Sequence, residues 1–202
     1  MAHHVLNMPI DEAQARALKL GDTVTLEKTL YGIRDATLIA MFDKDRRTRF
    51  DLKGHAVIHT APNVKKADGR PGNNSGYEPV CIGTTTSMRM ERFTKQLMQR
   101  EGVRIIIGKG GMGPATLDAL KEFGGVYLAI VGGAAALETT WIEEIEDVDM
   151  DDLHPESLWK FRIKGFGPLL VTMDSHGGSM HAEVNAGAAA KRAEVLARIG
   201  GL

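Results

Sequence analysis

Short apolar runs alternate with amphipathic stretches along the middle of the chain, and glycine-rich turns separate them. Residues 103–107 and 126–131 are almost wholly apolar, which is typical of strands that are buried on both faces. Between them, Pro114 suits the first position of a helix over 115–123, and Gly124 suits its end. The pattern predicts strands and helices in alternation, and hence an α/β fold with a mainly parallel central sheet.

The flanking sequence predicts further elements of both kinds. The expected helices cover 10–20, 36–45, the residues from Arg89 to Gly102, and 180–199, and another helix is expected to begin at 132–134. The expected strands cover 23–33, 55–60, 159–164 and 169–174. We expect the last two strands to form an additional antiparallel pair around the link at 165–167. The polar segment 62–79 is expected to be a long connection without regular structure, and the acidic segment 143–152 a loop.

Charge and length limit the classes of partner. The chain has 202 residues, with 25 Lys and Arg against 26 Asp and Glu, so the formal net charge is −1. This balance gives no reason to expect a nucleic acid or an anionic membrane as partner. No apolar stretch approaches the roughly 18–20 residues of a membrane span, and the N-terminus lacks a secretory signal pattern. We expect a soluble, cytoplasmic protein with one domain over 1–202.

The chain contains one cysteine, Cys81. A single thiol excludes an internal disulfide, and it cannot supply the several cysteines that zinc–thiolate and iron–sulfur sites usually need. No metal-ligand set is predicted within the chain. Any iron–sulfur cluster would have to come from a partner.

The segment 83–89 combines a glycine, four hydroxyl residues and Arg89 at the start of a predicted helix. The first backbone N–H groups of a helix have no partner within it and lie at the positive end of its dipole, so they favour an anion. Thr85, Thr86 and Arg89 would add directed donors. The segment is also compatible with an ordinary capped helix whose arginine is solvated, and both interpretations remain open at this point.

Two further cations follow predicted strands. Lys109 lies in a glycine-rich turn after 103–107, and Arg34 follows 23–33 beside Asp35. A simple surface ion pair is the alternative for Arg34. Three cationic groups beside a threonine-rich helix start suit a small dicarboxylate, because each carboxylate favours a charge-assisted partner.

These motifs resemble a known family. Residues 83–90 read Gly-Thr-Thr-Thr-Ser-Met-Arg-Met and resemble the Gly-Pro-Thr-Thr-x-x-Arg-Met signature of the beta subunit, or C-terminal domain, of class I iron–sulfur fumarases and L-tartrate dehydratases. Similar segments follow in the family's order at 34–36 (Arg-Asp-Ala), 107–110 (Ile-Gly-Lys-Gly), 131–135 (Val-Gly-Gly-Ala-Ala) and 174–177 (Asp-Ser-His-Gly). The resemblance extends over roughly residues 10 to 180.

The resemblance implies a swivelling β/β/α domain that works with an alpha subunit. That subunit would hold a 4Fe-4S cluster through three cysteines, and the open iron would bind the substrate as a Lewis acid. In this chain Arg34, Arg89 and Lys109 would bind carboxylates, Thr86 would help to orient them, and Thr85 would transfer a proton at C3. The implied assembly is a heterodimer or a dimer of heterodimers.

The sequence departs from the family pattern at two positions. Thr84 stands where the family has proline, and Leu38 where it usually has histidine. Leu38 removes a polar group near Arg34, so the substrate stays open between fumarate or malate, tartrate, a methylated dicarboxylate and another hydroxy diacid. The resulting prediction is the beta subunit of a hydro-lyase that adds water to a small dicarboxylate or removes it. A dicarboxylate-binding or regulatory domain without catalysis is the alternative, and missing glycine fingerprints disfavour a nucleotide-binding domain.

Overall fold

The structure is a computed structural model, and it describes residues 1–67, 75–130, 133 and 135–200. The strands are β1 (His3–Asn7), β2 (Thr23–Ile33), β3 (Ala56–His59), β4 (Asn63–Lys66), β5 (Tyr77–Cys81), β6 (Ile105–Gly108), β7 (Val126–Ala129), β8 (Ile142–Asp149) and β9 (Leu158–Met173). The α-helices are α1 (Glu12–Ala17), α2 (Asp35–Phe42), α3 (Glu91–Glu101), α4 (Pro114–Phe123), α5 (Ala135–Thr140) and α6 (Met180–Gly200). Short 3-10 helices cover Ser87–Met90 and Asp151–Glu156.

The central sheet closes on itself. Strands β2, β3, β6 and β7 lie side by side in parallel, and β9 pairs antiparallel with both β7 and β2. The ring of pairings forms a small barrel, to which β1 adds beside β2 and β8 beside β9. The predicted α/β fold with a mainly parallel sheet is confirmed, whereas closure into a barrel was not predicted.

Among the barrel strands, β3 and β6 are wholly buried and β7 is nearly so, on both faces. On β6, Ile105 and Ile107 belong to one apolar cluster, which also takes in side chains of β2, β7 and β9, and Ile106 belongs to a second cluster beneath α2, α3 and α4. Alternation along a strand sends neighbouring side chains to opposite faces, so one cluster fills the barrel and the other joins it to the helices. This double burial explains why the strands read as continuous apolar runs.

Three predictions about regular structure were wrong. The segment 62–79, expected to be irregular, contains the antiparallel pair β4 and β5 on either side of residues outside the described part. The acidic segment 143–152 is mostly strand β8, because Ile142 and Ile145 pack inward while intervening acidic side chains face outward. The two strands expected at 159–164 and 169–174 are one continuous strand, β9. The additional antiparallel pair of the fold is therefore formed by β4 and β5.

The terminal helix α6 begins as predicted at Met180 and runs to Gly200. Its described residues are exposed from Ala182 onward, so it projects from the barrel. The part of the helix start predicted at 132–134 lies largely outside the described residues. No described helix is long and apolar enough to cross a membrane.

Candidate functional site

The predicted site residues lie at one edge of the barrel. Strands β2, β3 and β6 are parallel, so their carboxyl ends meet, and Arg34, Thr60 and Lys109 follow these ends. The segment 83–89 crosses the same edge. It makes an antiparallel bridge from Thr84 to Thr60 and a parallel bridge from Thr86 to Lys109.

Backbone hydrogen bonds fix this segment between β3 and β6. The Thr85 N–H donates to the His59 carbonyl oxygen at 2.6 Å, and the Ser87 N–H donates to the Lys109 carbonyl oxygen at 3.2 Å. The Thr60 hydroxyl donates to the Gly83 carbonyl oxygen at 2.8 Å. Thr85 is half-buried beside its exposed neighbour Thr86, so both hydroxyls lie on an ordered backbone at the surface.

One carboxylate brings the two arginines together. Asp35 Oδ2 lies 3.2 Å from Arg34 Nε and 2.8 Å from Arg89 Nη2. Arg34 Nε also lies 3.3 Å from Glu156 Oε1, and the other oxygen of Glu156 accepts the Ala36 N–H at 2.8 Å. Arg34 is the more buried guanidinium, with 26% of its side chain exposed against 54% for Arg89. The ion pair that was the alternative for Arg34 exists, and it extends to a second arginine.

A buried polar network lies beneath the segment 83–89. Ser87 Oγ is 2.9 Å from His59 Nδ1 and 3.0 Å from the Tyr127 hydroxyl. The Tyr127 hydroxyl also lies 3.1 Å from the Gly110 carbonyl oxygen. The backbone approaches closely here, because a Cβ on Gly108 would stand 1.7 Å from Ser87 Oγ. The network thus joins β3, the hydroxyl segment and the turn that carries Lys109.

Burial keeps the network uncharged near neutral pH. It lowers the pKa of His59 to about 4, against the opposing charge of Asp35. It also raises the pKa of Tyr127 to about 12. The imidazole and the phenol therefore act as neutral hydrogen-bonding groups.

A buried carboxylate lies on the other side of the segment. Glu138, on α5, is 1% exposed, and both of its oxygens accept the Thr84 hydroxyl, at 2.9 and 2.8 Å. Burial raises the pKa of Glu138, while the Thr84 hydroxyl and the positive charge of Lys109 act in the opposite direction. The threonine that replaces the family's proline thus has a specific partner.

The structure brings the predicted residues together as two groups along one edge. Arg34 and Arg89 share Asp35, while Thr85, Thr86 and Lys109 lie on bridged backbone. Sequence reasoning missed the supporting residues, namely Asp35 as a bridge, Glu138, Glu156, Ser87 and Tyr127. A usable signal existed for Glu138, because it follows the loop after β7, the next parallel strand of the same edge.

In the described part of the chain, no group of three or more His, Cys, Asp and Glu side chains is placed to hold a metal ion. Cys81 is half-buried at the end of β5 and forms no disulfide. The edge instead presents cations and hydroxyls, which suit a small anion with more than one carboxylate.

Comparisons with known proteins agree with these features. The model of the family described as Fumarase C-terminus matches residues 2–184. The L(+)-tartrate dehydratase subunit beta of Escherichia coli is 38% identical over 180 residues, which are 89% of this chain and 87% of that protein.

Two further relatives extend the comparison. A protein of Methanocaldococcus jannaschii, provisionally named as the same subunit, is 35% identical over 181 residues, which are 87% of this chain and 90% of that protein. A protein of Geobacillus stearothermophilus, provisionally named as a class I fumarate hydratase, is 42% identical over 180 residues, which are 89% of this chain and 34% of that protein. Because the family model and these relatives cover most of its length, the chain belongs to the Fumarase C-terminus family.

Proposed function

We propose that this chain is the beta subunit of a heteromeric iron–sulfur hydro-lyase. The reaction would be the reversible addition or removal of water on a small dicarboxylate of the fumarate, malate or tartrate class. The observation that carries the proposal is the gathering of Arg34, Arg89, Lys109, Thr85 and Thr86 at one barrel edge. The names of the relatives, which include subunits of a dehydratase, support it.

The geometry supports distinct roles for these groups. Asp35 occupies a position between two guanidinium groups, so the pair is spaced to hold a carboxylate oxygen. A substrate carboxylate would compete for the more exposed guanidinium, Arg89. Lys109 would bind the other carboxylate, Thr86 would orient it, and Thr85 would transfer the proton at C3. A threonine is a weak base in water, so this last role requires a shielded site in the complex.

The metal chemistry would come from the partner. One cysteine and the described donor set do not fit an iron–sulfur cluster, so we assign the 4Fe-4S cluster to an alpha subunit. In the complex such a cluster supplies Lewis acidity toward the substrate. We further propose that the whole chain, 1–202, acts as one swivelling domain of a cytoplasmic complex that places its cationic edge against the alpha subunit.

Charge removal at Arg89 tests the substrate site. Arg89→Gln should lower kcat/KM roughly 10- to 100-fold, because hydrogen bonds to charged groups contribute about 1.5–3 kcal/mol. Arg92→Gln is the matched control, since Arg92 is similarly exposed and pairs with Asp43 instead. Both variants would be co-expressed with the alpha subunit and assayed without oxygen on fumarate, malate, both tartrates and mesaconate.

The outcomes separate the candidate functions. Unchanged kinetics in Arg89→Gln would contradict the proposed substrate site. Full hydratase activity from this chain alone, without iron, would overturn the proposal of a heteromeric iron–sulfur enzyme. Binding of a dicarboxylate by the assembled complex without turnover would favour the alternative, a domain for binding or regulation.

A further inference from the structure

The network of His59, Ser87 and Tyr127 is more than packing, because it reaches both halves of the lysine turn. The Ser87 N–H holds the carbonyl oxygen of Lys109, and the Tyr127 hydroxyl reaches that of Gly110. Two consecutive carbonyls of the turn are therefore held from below by side chains and backbone that are fully buried. The direction of the Lys109 side chain depends on this backbone.

The number of available protons limits the direction in which each hydrogen bond of the network can run. Two orders of donation are possible. A tyrosine hydroxyl has one proton, and it has two acceptors here, Ser87 Oγ and the Gly110 carbonyl oxygen. If Tyr127 donates to Gly110, then Ser87 can donate to Tyr127 and accept from the Nδ1–H of the neutral His59 ring, so each of these three protons has an acceptor. If Tyr127 donates to Ser87, the Gly110 carbonyl loses this donor. The first order is favoured, because it keeps the hydrogen bond of Tyr127 to the Gly110 carbonyl oxygen as well as the one between Tyr127 and Ser87.

Ser87 is the centre of the arrangement. It follows Thr85 and Thr86 directly in the chain, and its hydroxyl contacts both His59 and Tyr127. Its Oγ fits only because position 108 is glycine, where a Cβ would also stand 2.9 Å from the Tyr127 hydroxyl. A displacement of Ser87 would move the two threonines relative to Lys109.

We propose that Ser87 and Tyr127 are positioning residues that set the register between the threonine pair and the Lys109–Gly110 turn. This inference rests on the proposed function. Neither side chain would touch substrate; each would act through the groups that do. Because reacting groups must be aligned within fractions of an ångström, loss of the network should impair turnover more than substrate binding.

The test uses conservative variants in the complex with the alpha subunit. Ser87→Ala should lower kcat by roughly tenfold or more, and Tyr127→Phe by a smaller factor, with KM changed less than kcat in both. Since the two residues share one network, the loss in the double variant should be smaller than the product of the single losses. Ser87→Cys, which keeps the volume and a weak donor, should retain intermediate activity.

Matched controls separate positioning from general loss of buried hydroxyls. Thr116→Val removes a buried hydroxyl that bonds to Thr94 between α3 and α4. Tyr31→Phe removes a buried phenol that donates to the Asp51 carbonyl oxygen. Both controls should keep kcat close to that of the wild-type complex, even if their melting temperatures fall.

Amide hydrogen exchange on the full chain gives a second readout that needs no activity. In Ser87→Ala, the amides of Thr85 and residue 87 should exchange faster, while those of α3 and α4 stay unchanged. Wild-type kcat in an assembled Ser87→Ala complex, or unchanged exchange at these amides, would overturn the inference. Its failure differs from failure of the proposed function, in which the wild-type complex itself would turn over no dicarboxylate.

Discussion

Asp35 illustrates how much of the site is decided by single residues. Sequence reasoning could place Arg34, Arg89 and Lys109 near one another, because each follows or begins an element at the same edge of parallel strands. It could not show that Asp35 lies between the two guanidinium groups, since that contact joins residues 54 positions apart. The ion pair and the substrate site, which were alternatives for Arg34 in the sequence, are compatible in the structure.

Thr84 and Glu138 form the second contact that the sequence could not reveal. A buried carboxylate requires donors, and the Thr84 hydroxyl supplies one to both oxygens. Proline at this position would lack the hydroxyl. The departure from the family motif is therefore explained by a partner on α5, a helix that the sequence predicted without assigning a role to its acidic residue.

Removal of this hydroxyl should destabilise the fold. Thr84→Val should lower the free energy of unfolding by about 1–3 kcal/mol, because Glu138 would lose its donor. In a Glu138→Gln background the same change should cost less, since a neutral amide is less costly to leave unsatisfied. Urea unfolding of the four proteins gives the coupling free energy. Equal costs in both backgrounds would show that the hydroxyl does not act through the carboxylate.

At the scale of elements, the sequence predicted best where burial is simplest. Strands β6 and β7 are apolar on both faces, and α4 has its proline and glycine at the expected ends, so local pattern and structure agree. β8 was missed because acidic residues dominate its composition. β9 was divided because Gly165 and Gly167 suggested a turn, whereas the strand continues through them with irregular register.

The close approach at the end of β6 makes Gly108 a sensitive position. Gly108→Ala should lower the free energy of unfolding by about 1–3 kcal/mol, because its Cβ would overlap the Ser87 hydroxyl and force the network apart. Gly187→Ala on α6 is the control, since a Cβ there meets nothing within 4 Å. Chemical denaturation compares the two. A Gly108→Ala protein as stable as wild type would mean that Ser87 moves aside without cost.

At the scale of the whole molecule, closure of the barrel could not be predicted from the sequence. Parallel strands were predictable from alternation with helices, but the local pattern does not reveal that β9 reaches both β7 and β2. Closure is a property of long-range pairing. Another long-range contact, with Ser87 of the segment 83–89, accompanies the burial of His59, and burial turns a strand residue of ordinary appearance into a group with a strongly lowered pKa.

Acid should therefore weaken the whole fold through His59. Its pKa is about 4 in the folded chain and about 6.5 when unfolded, so between these values the unfolded state binds more protons and stability falls as pH falls. Between pH 7 and pH 5, wild type should lose about 2 kcal/mol of unfolding free energy more than His59→Asn. Denaturation at both pH values measures this difference. Equal losses of unfolding free energy in wild type and in His59→Asn would mean that His59 becomes protonated without unfolding of the chain.

The single strand β9 has a consequence for biosynthesis. During translation, β2, β3, β6 and β7 leave the ribosome before residues 158–173, so the edges of β2 and β7 stay open while most of the chain already exists. Open strand edges are templates for wrong pairing, and pairings distant in sequence form slowly. Strand β9 is thus the last barrel strand to be synthesised, and its pairing with β2 and β7 covers the edges through which the chain could aggregate.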